Sequence, residues 1–187
     1  MLGSLVQAIL DRYPQLQRLR MSSLDGIEID PLLFERLAGE PRLMPHVHLS
    51  VQAGADLVLK RMKRRHLRSD VLRLTDDLRR GRPEIAFGAD LIAGFPTERE
   101  ADVQATLDLI EAANLGFLHV FPYSPRPGTP AARMPQVPPA ERKRRAARLR
   151  AAGDAALERL LGRLVGATHE VLVEQGGRGH TPHFAPI

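Results

Sequence analysis

The stretch GADLIAGFPTERE, residues 88–100, constrains the fold of this chain more than any other. Its first residues are apolar apart from Asp90, which is typical of a strand that is covered on both faces and keeps one side chain for a ligand. The Gly-Phe-Pro turn at 94–96 ends the strand, and Thr97 with Glu100 predicts a capping box at the start of a helix. This pattern predicts a strand–loop–helix unit of an α/β enzyme, whose ligands bind at the carboxyl ends of the strands.

Helical and strand patterns alternate along the chain as far as residue 123. Apolar spacing predicts helices over Leu2–Tyr13, Pro31–Leu37, Ala55–Met62, Ser69–Arg80 with Ser69 as its cap, and Glu98–Ala113. Alternating or continuous apolar runs predict strands over Leu16–Ser22, His46–Gln52, Glu84–Ala93 and Gly116–Tyr123. Strands that alternate with helices imply parallel crossover connections, and therefore a barrel or an open parallel sheet.

The character of the sequence changes after residue 123. Prolines are concentrated in 124–139, which predicts a long loop with a fixed irregular shape. A long helix is predicted over 140–164, and its basic run from Arg142 to Arg150 is interpreted as a solvated face. The alternation in 168–173 predicts the first strand of a small β module.

Composition limits the chemistry and suggests a partner. Lys and Arg number 27 against 22 for Asp and Glu, and the sequence pI is about 10.4, which favours an anionic partner such as nucleic acid or else reflects Arg-rich solvated faces. Cysteine is absent, which excludes disulfides, thiolate catalysis and a cysteine-ligated iron–sulfur cluster in this chain. No signal peptide or membrane anchor is recognisable, so we expect a cytoplasmic protein.

Polar residues at period two mark one face of the second predicted strand: His46, His48, Ser50 and Gln52. A metal site is one interpretation of the paired histidines, but a polar row that binds a small ligand is favoured, with Ser50 and Gln52 at the productive carboxyl end. Asp90 must be paired in its apolar strand, either with a ligand hydroxyl or with Arg20 across the sheet.

Two further groups of charges have open interpretations. Glu98 is either a favourable charge in the first helical turn or a hydrogen-bond partner for a ribose or amino group. The basic loop has room for one Arg that grips a ligand carboxylate and for others that bind phosphates; its members are Lys60, Arg61, Lys63, Arg64, Arg65, His66 and Arg68. The sequence contains no P-loop, Rossmann glycine fingerprint, G-x-S-x-G or H-E-x-x-H motif, which disfavours hydrolase and nucleotidase functions.

Four long segments in order give the chain a family resemblance. They are RLRMSSLDGIEID at 18–30, LMPHVHLSVQAGADLVLKRMKRRHLR at 43–68, FGADLIAGFPTERE at 87–100 and LHVFPYSPRPGTPAARMPQVP at 118–138. The chain resembles the radical S-adenosylmethionine methylthiotransferases. KRRH and HVFPYSPRPGTPAARM are most similar to the branch that modifies threonylcarbamoyladenosine beside the tRNA anticodon. Sister branches act on isopentenyladenosine in tRNA or on a ribosomal protein.

The resemblance implies a fold and a set of cofactors. Residues 1–165 would be the second half of a TIM-like radical S-adenosylmethionine barrel with its C-terminal helix, and 166–187 the start of a TRAM-like RNA-binding β-barrel. The family uses S-adenosylmethionine and 4Fe-4S clusters. The amino-terminal domain and the C-x-x-x-C-x-x-C loop of the family are not in this sequence, so we expect the chain alone to be inactive, with a separate chain as one source of the missing half.

Contacts to S-adenosylmethionine can be carried over from the family by position. Ser50, Gln52 and Gly54 match the strand that lines the S-adenosylmethionine cleft, and Arg64 matches an arginine near its carboxylate. The positions that match the ribose and adenine side are Asp90, Gly94, Phe95, Glu98, Tyr123 and Ser124. No catalytic residue or metal ligand is expected within this chain.

Two other functions stay open at the level of sequence. The first is a fragment of a different radical S-adenosylmethionine enzyme, such as a coproporphyrinogen-type oxidase, which the TRAM-like start and the SPRPGTPA run disfavour. The second is a non-catalytic RNA-binding subunit whose basic residues act without a cluster.

Overall fold

The computed structural model describes residues 1–21 and 23–187. Its centre is a three-stranded sheet of β1 (His46–Gln52), β2 (Ala86–Ala93) and β3 (Leu115–Pro122), in that order and all parallel. Helices α3 (Asp56–Arg61) and α4 (Arg68–Gly81) connect β1 to β2, and α5 (Glu100–Ala112) connects β2 to β3. The predicted α/β class with a parallel sheet is therefore confirmed.

One face of the sheet packs against the helices. Its inward residues join a single apolar cluster with α1 (Leu2–Arg12), α2 (Pro31–Gly39) and α6 (Pro139–Leu164). In β1 and β2 every second side chain enters this core, whereas a register shift at the start of β3 puts Leu115 out of phase with Val120. The sheet members of the cluster are Val47, Leu49, Val51, Phe87, Ala89, Leu91, Ala93, Leu115 and Val120.

The opposite face, here called the polar face, carries the other half of each strand's side chains. It includes His46, His48, Asp90 and His119, and the register places Asp90 beside His119. A register shift between Leu49 and Gln52 interrupts β1 near its end, where Gln52 has a φ of 70°. The polar face therefore ends at an irregular surface formed by the carboxyl ends of the strands, here called the carboxyl edge.

The predicted first strand does not form. Between 16 and 24 the chain contacts its neighbour through isolated parallel bridges, Leu19 to Leu43 and Leu24 to Leu49. Pro45 lies between these two contacts and has no N–H to donate to a ladder, so the pairing stays interrupted. The prediction of a strand over 16–22 is wrong for 16–21, and Ser22 lies outside the described residues.

Both predicted helix caps are displaced. Helix α4 begins one residue before Ser69, and the N–H of Leu67 donates to Asp70 at 2.8 Å. Helix α5 begins at Glu100, and Asp102 accepts the N–H of Arg99 at 2.8 Å.

The loop before α5 explains its late start. Thr97 has a φ of 66°, and its N–H donates to Pro135 O at 3.1 Å. Since this geometry keeps the chain in the loop for two more residues, the Thr97–Glu100 capping box is absent.

The C-terminal residues turn back onto the sheet. Strands β4 (Leu172–Val173) and β5 (Gly179–His180) form a small antiparallel pair, shorter than the predicted strand over 168–173. The ring of Phe184 stacks on His46 at 5.2 Å, and the Arg20 guanidinium lies 5.1 Å from the same ring. The described C-terminal residues form a two-stranded sheet that covers the amino-terminal end of the polar face.

None of the helices within 1–21 and 23–187 is both long and apolar enough to cross a membrane.

Candidate functional site

The turn after β2 fixes the wall of the carboxyl edge. Gly94 has a φ of 74°, a conformation that favours glycine, and a Cβ there would lie 2.5 Å from Cγ of Arg142 on α6. The N–H of Gly94 donates to Glu98 at 2.8 Å. The Gly-Phe-Pro turn is thus held between β2 and α6, which explains why the sequence needs glycine at this point.

Two neighbouring cavities open at the carboxyl ends of the strands. The larger has a volume of about 580 Å³, which is within the range of small-molecule sites. The smaller has a volume of about 440 Å³, and it shares Gln52, Ile92, Thr129 and Ala131 with the larger. Among the other residues that line the larger cavity are Asp90, Phe121, Tyr123, Ser124 and Arg126.

The structure places the sequence-predicted site residues in two groups. Those that line the two cavities are Gln52, Arg64, Asp90, Phe95, Tyr123 and Ser124. Ser50 lies earlier on β1, and Gly54, Gly94 and Glu98 lie behind the cavity walls. The Phe95 ring contacts Tyr123 edge-on at 5.3 Å, so these two residues join the turn after β2 to the end of β3.

Gly54 has a packing role. Its N–H donates to Thr106 Oγ1 at 2.9 Å, and a Cβ at this position would lie 2.5 Å from the Ala105 carbonyl oxygen. The segment after β1 and helix α5 therefore approach each other too closely for any larger residue.

The basic loop is largely engaged with its own protein. Arg64 donates to Asp25 at 3.1 Å and to the Ser50 carbonyl at 2.9 Å, which holds its guanidinium at the rim of the smaller cavity. Arg65 pairs with Glu28 at 3.2 Å. Arg68 donates to the Ala105 carbonyl, and the His66 ring bonds to Val51 O at 3.0 Å. Of the loop's members, Arg64 is well placed to meet a ligand carboxylate.

Glu98 forms a buried ion pair. Its Oε2 lies 3.0 Å from Nη1 of Arg145, and Nε of the same guanidinium donates to Glu141 at 2.7 Å. Burial raises the pKa of Glu98, and the bonds from Arg145 and Gly94 oppose this effect. Glu98 precedes α5, so it is not a charge in the first helical turn.

The basic run on α6 is not simply a solvated face. Arg142 donates to the Val137 and Tyr123 carbonyls at 2.7 and 3.0 Å, and Arg150 donates to Val120 O at 2.8 Å. These side chains bind oxygens at the ends of β3 and its loop. The interpretation as a solvated face is wrong for them because the polar groups of the strand ends need donors.

Asp90 has partners that the sequence did not reveal. Its Oδ1 lies 3.0 Å from Nε2 of His48 and 3.2 Å from Nδ1 of His119, and Ser23 donates to Oδ2 at 3.3 Å. Of the two alternatives for Asp90, the pairing with Arg20 does not form, since Arg20 donates instead to the carbonyls of Thr181 and Pro182 at 2.6 and 3.1 Å. The period-two position of His119 was a usable signal, but only once the register with β2 was known.

His46 is separated from this group by its burial. It is only 7% exposed, and Nε2 has no hydrogen-bond partner among the described residues. Burial lowers the pKa of His46 to about 4, with smaller contributions from His48, Arg20 and His183. His46 is thus a neutral ring in a packed environment and does not pair with His48 as a ligand.

Comparison with known proteins identifies the class. A family model described as the radical SAM superfamily matches residues 11–110. The chain therefore belongs to the radical SAM superfamily, which confirms the resemblance seen in the sequence.

Two similar relatives are named for methylthio modification of tRNA. A threonylcarbamoyladenosine tRNA methylthiotransferase of Rickettsia prowazekii is 50% identical over 185 residues, which are 99% of this chain and 44% of the relative. A tRNA-2-methylthio-N(6)-dimethylallyladenosine synthase of Roseobacter denitrificans is 44% identical over 177 residues, or 95% of this chain and 40% of the relative. The chain thus spans less than half the length of these curated relatives.

A solved structure supports the fold independently. The radical S-adenosylmethionine methyltransferase TsrM of Kitasatospora setae, determined with tryptophan and an S-adenosylmethionine analogue, superposes with a TM-score of 0.56. The match covers 70% of this chain and 26% of that protein at 20% identity. This likeness concerns the fold alone, and it agrees with a partial TIM-like barrel.

The residues present fit only part of the superfamily's cofactor set. The sequence contains no cysteine, so it offers no thiolate to an iron–sulfur cluster. The cavities at the carboxyl edge do offer aromatic, carboxylate, amide and guanidinium groups, which suit an amino-acid nucleoside.

Proposed function

We propose that this chain is the C-terminal part of a tRNA methylthiotransferase that acts on threonylcarbamoyladenosine next to the anticodon. The observation that carries the proposal is the 50% identity, across 99% of the chain, to a relative named for that reaction. The KRRH and HVFPYSPRPGTPAARM segments support the same branch.

In this proposal the carboxyl-edge cavities form half of an S-adenosylmethionine site. Arg64, held at the rim by Asp25, would meet the methionyl carboxylate, because a guanidinium binds a carboxylate through two donors. Gln52 and Asp90 offer polar groups to the ribose, and Phe95 with Tyr123 offers aromatic surface to the adenine.

The other carried-over residues would act indirectly. Glu98 and Gly94 hold the turn after β2 against α6, and Gly54 allows close contact with α5. Ser50 supplies the carbonyl that holds Arg64, and Ser124 extends the cavity wall after Tyr123. Their substitution would then weaken binding by moving the wall.

The cluster thiolates would come from polypeptide outside these residues, either in the same protein or in a partner chain. When bound, a 4Fe-4S cluster and S-adenosylmethionine supply the radical needed to functionalise an unactivated adenine C–H bond. The contribution of this chain is to position S-adenosylmethionine near the base. Residues 1–165 would form the barrel part and 166–187 the start of a TRAM-like RNA-binding domain in a cytoplasmic enzyme.

The isolated chain is expected to be inactive. An anaerobic assay after iron and sulfide reconstitution should yield no deoxyadenosine from S-adenosylmethionine, because no cysteine is present to ligate the cluster. Release of deoxyadenosine above the level of a protein-free control would contradict this proposal.

Nucleoside mass spectrometry tests the substrate. In tRNA from a strain in which the gene is disrupted, threonylcarbamoyladenosine should lose its methylthio group, while methylthiolated isopentenyladenosine should be unchanged. Loss of the isopentenyladenosine modification instead would assign the chain to the sister branch, and no change in either would contradict the tRNA function.

A non-catalytic RNA-binding role is the second candidate, favoured by the high pI and the absence of cysteine. Several arginines are bound to main-chain oxygens and carboxylates, which leaves fewer charges for RNA. Under this alternative the isolated chain should bind tRNA with a steep decrease in affinity as salt increases. Weak binding with a shallow salt dependence would exclude it.

A further inference from the structure

Three potential metal ligands meet on the polar face, beside the larger cavity. His48, Asp90 and His119 each offer one ligand atom, and these three atoms all lie within 4.8 Å of one another. The two histidine nitrogens approach the same carboxylate oxygen, at 3.0 and 3.2 Å. The ring centroids of His48 and His119 lie 4.6 Å apart, so both imidazoles border the same small volume.

This spacing suits one ion. Ligand atoms about 3.3 Å apart are what tetrahedral coordination at about 2.0–2.1 Å produces. Two imidazoles and one carboxylate are also the donor set of catalytic zinc sites and of the non-haem iron facial triad. A small displacement of the Asp90 carboxylate, which lies on a face open to solvent, would admit the ion between the three atoms.

The site is held by the sheet. His48, Asp90 and His119 come from β1, β2 and β3 in turn, so the three ligands are fixed by the register of adjacent strands. A Cβ at Gly88 would lie 2.5 Å from His48 Nδ1, so glycine at this position leaves room for the imidazole ring. Sites on strands are more precise than sites on loops.

We propose that His48, Asp90 and His119 bind a single divalent metal ion of the Zn²⁺ class. Because Asp90 also lines the larger cavity, the remaining coordination positions of the ion would face that cavity and accept water or a ligand oxygen. The proposal does not depend on the tRNA function proposed above.

The alternative to a metal site is a purely hydrogen-bonded cluster of the same three residues, to which Ser23 donates a further bond. Stoichiometric binding of a metal ion distinguishes the two alternatives. Other histidines near the C-terminus, His169 and His183, lie with ring centroids 5.8 Å apart and serve as a control for adventitious binding.

Isothermal titration of the purified, tag-free, chelator-treated 187-residue chain with Zn²⁺ tests the proposal. Binding of one equivalent is expected, and His119→Ala should weaken it at least tenfold, because a ligand contributes no less than the outer-shell groups whose loss costs 10–100-fold. The His119 side chain is 64% exposed, so its removal leaves the core intact. Asp90→Asn should have the same effect while it preserves side-chain shape.

The control is His169→Ala, which should retain the full equivalent. Absorption of bound Co²⁺ gives a second readout, and His48→Ala and His119→Ala should both abolish the tetrahedral signal. No stoichiometric binding by the unmodified chain, or loss of binding in His169→Ala but not in His119→Ala, would overturn the proposal. Since neither tRNA nor S-adenosylmethionine is present, failure here would leave the methylthiotransferase proposal unaffected.

Discussion

At the scale of single residues, the carboxyl edge depends on groups whose charges are balanced inside the protein. Glu98 and Arg145 are both less than a tenth exposed and bond to each other at 3.0 Å. Such a pair contributes little net stability when complete but is costly to break, because the remaining charge is left buried without a partner. Its role here is to fix the turn after β2 against α6.

Arg145→Met should therefore lower the free energy of unfolding by roughly 3–5 kcal/mol in urea denaturation. Lys143→Met, at an exposed position on the same helix, is the matched control and should change it by less than about 0.5 kcal/mol. Adding Glu98→Gln to Arg145→Met should recover part of the loss. Equal effects of Arg145→Met and Lys143→Met would contradict a buried ion pair between Glu98 and Arg145.

His46 predicts a pH dependence of stability. Its pKa falls from 6.5 to about 4 on folding, so between those values the unfolded chain binds more protons than the native protein. The contribution of neutral His46 to the free energy of unfolding is complete above pH 6.5. It decreases as the pH falls towards 4, by at most about 3 kcal/mol.

His46→Phe should make the unfolding free energy less dependent on pH across this window, because a phenyl ring can occupy the space beside Phe117 and Phe184 without taking up a proton. Burial also lowers the pKa of His183, so a residual slope should remain in this variant. A slope unchanged by His46→Phe would show that other groups cause it.

At the scale of elements, strand periodicity located the three strands of the parallel sheet. The sequence predicted β1 with its observed ends, because its seven residues alternate between polar and apolar side chains. The prediction of a strand over 16–22 failed because alternation indicates an extended backbone but does not show whether a neighbouring segment can pair with it. Here Pro45 interrupts the neighbouring segment. The starts of α4 and α5 differ from the predicted caps at Ser69 and Thr97 because Asp70 and Asp102 accept the N–H groups of Leu67 and Arg99.

Substitutions at two glycines distinguish the effect of side-chain packing from the effect of backbone conformation. Gly94 and Gly128 both have positive φ, at 74° and 83°, but a Cβ would collide with Arg142 at Gly94 and meets nothing within 4 Å at Gly128. Gly128→Ala should cost about 1–2 kcal/mol of unfolding free energy from backbone strain alone. Gly94→Ala should cost a further 1–3 kcal/mol or so from overpacking against α6.

Chemical denaturation of the two variants in parallel measures this difference. If Gly94→Ala is no more destabilising than Gly128→Ala, then α6 does not pack against the turn after β2 as tightly as the structure indicates.

At the scale of the whole molecule, the sheet is covered at one end and open at the other. The C-terminal residues pack over the amino-terminal part of the polar face through Phe184, while the cavities lie at the carboxyl edge. The sequence predicted the α/β class and the family, and ligand binding at the carboxyl edge stays a prediction. It did not predict the histidines around Asp90 or the partners of the α6 arginines, because these depend on strand register and helix orientation, which a single chain's pattern does not encode.

We propose that the carboxyl edge of this sheet is an S-adenosylmethionine half-site. Titration of the ¹⁵N-labelled chain with S-adenosylmethionine to millimolar concentrations, followed by ¹H–¹⁵N correlation spectra, tests this assignment. Chemical-shift changes are expected in the amides of Gln52, Arg64, Asp90 and Tyr123, with weak affinity because no cluster holds the methionyl group. Changes confined to the amino-terminal end of the strands, or none at the carboxyl edge, would contradict it.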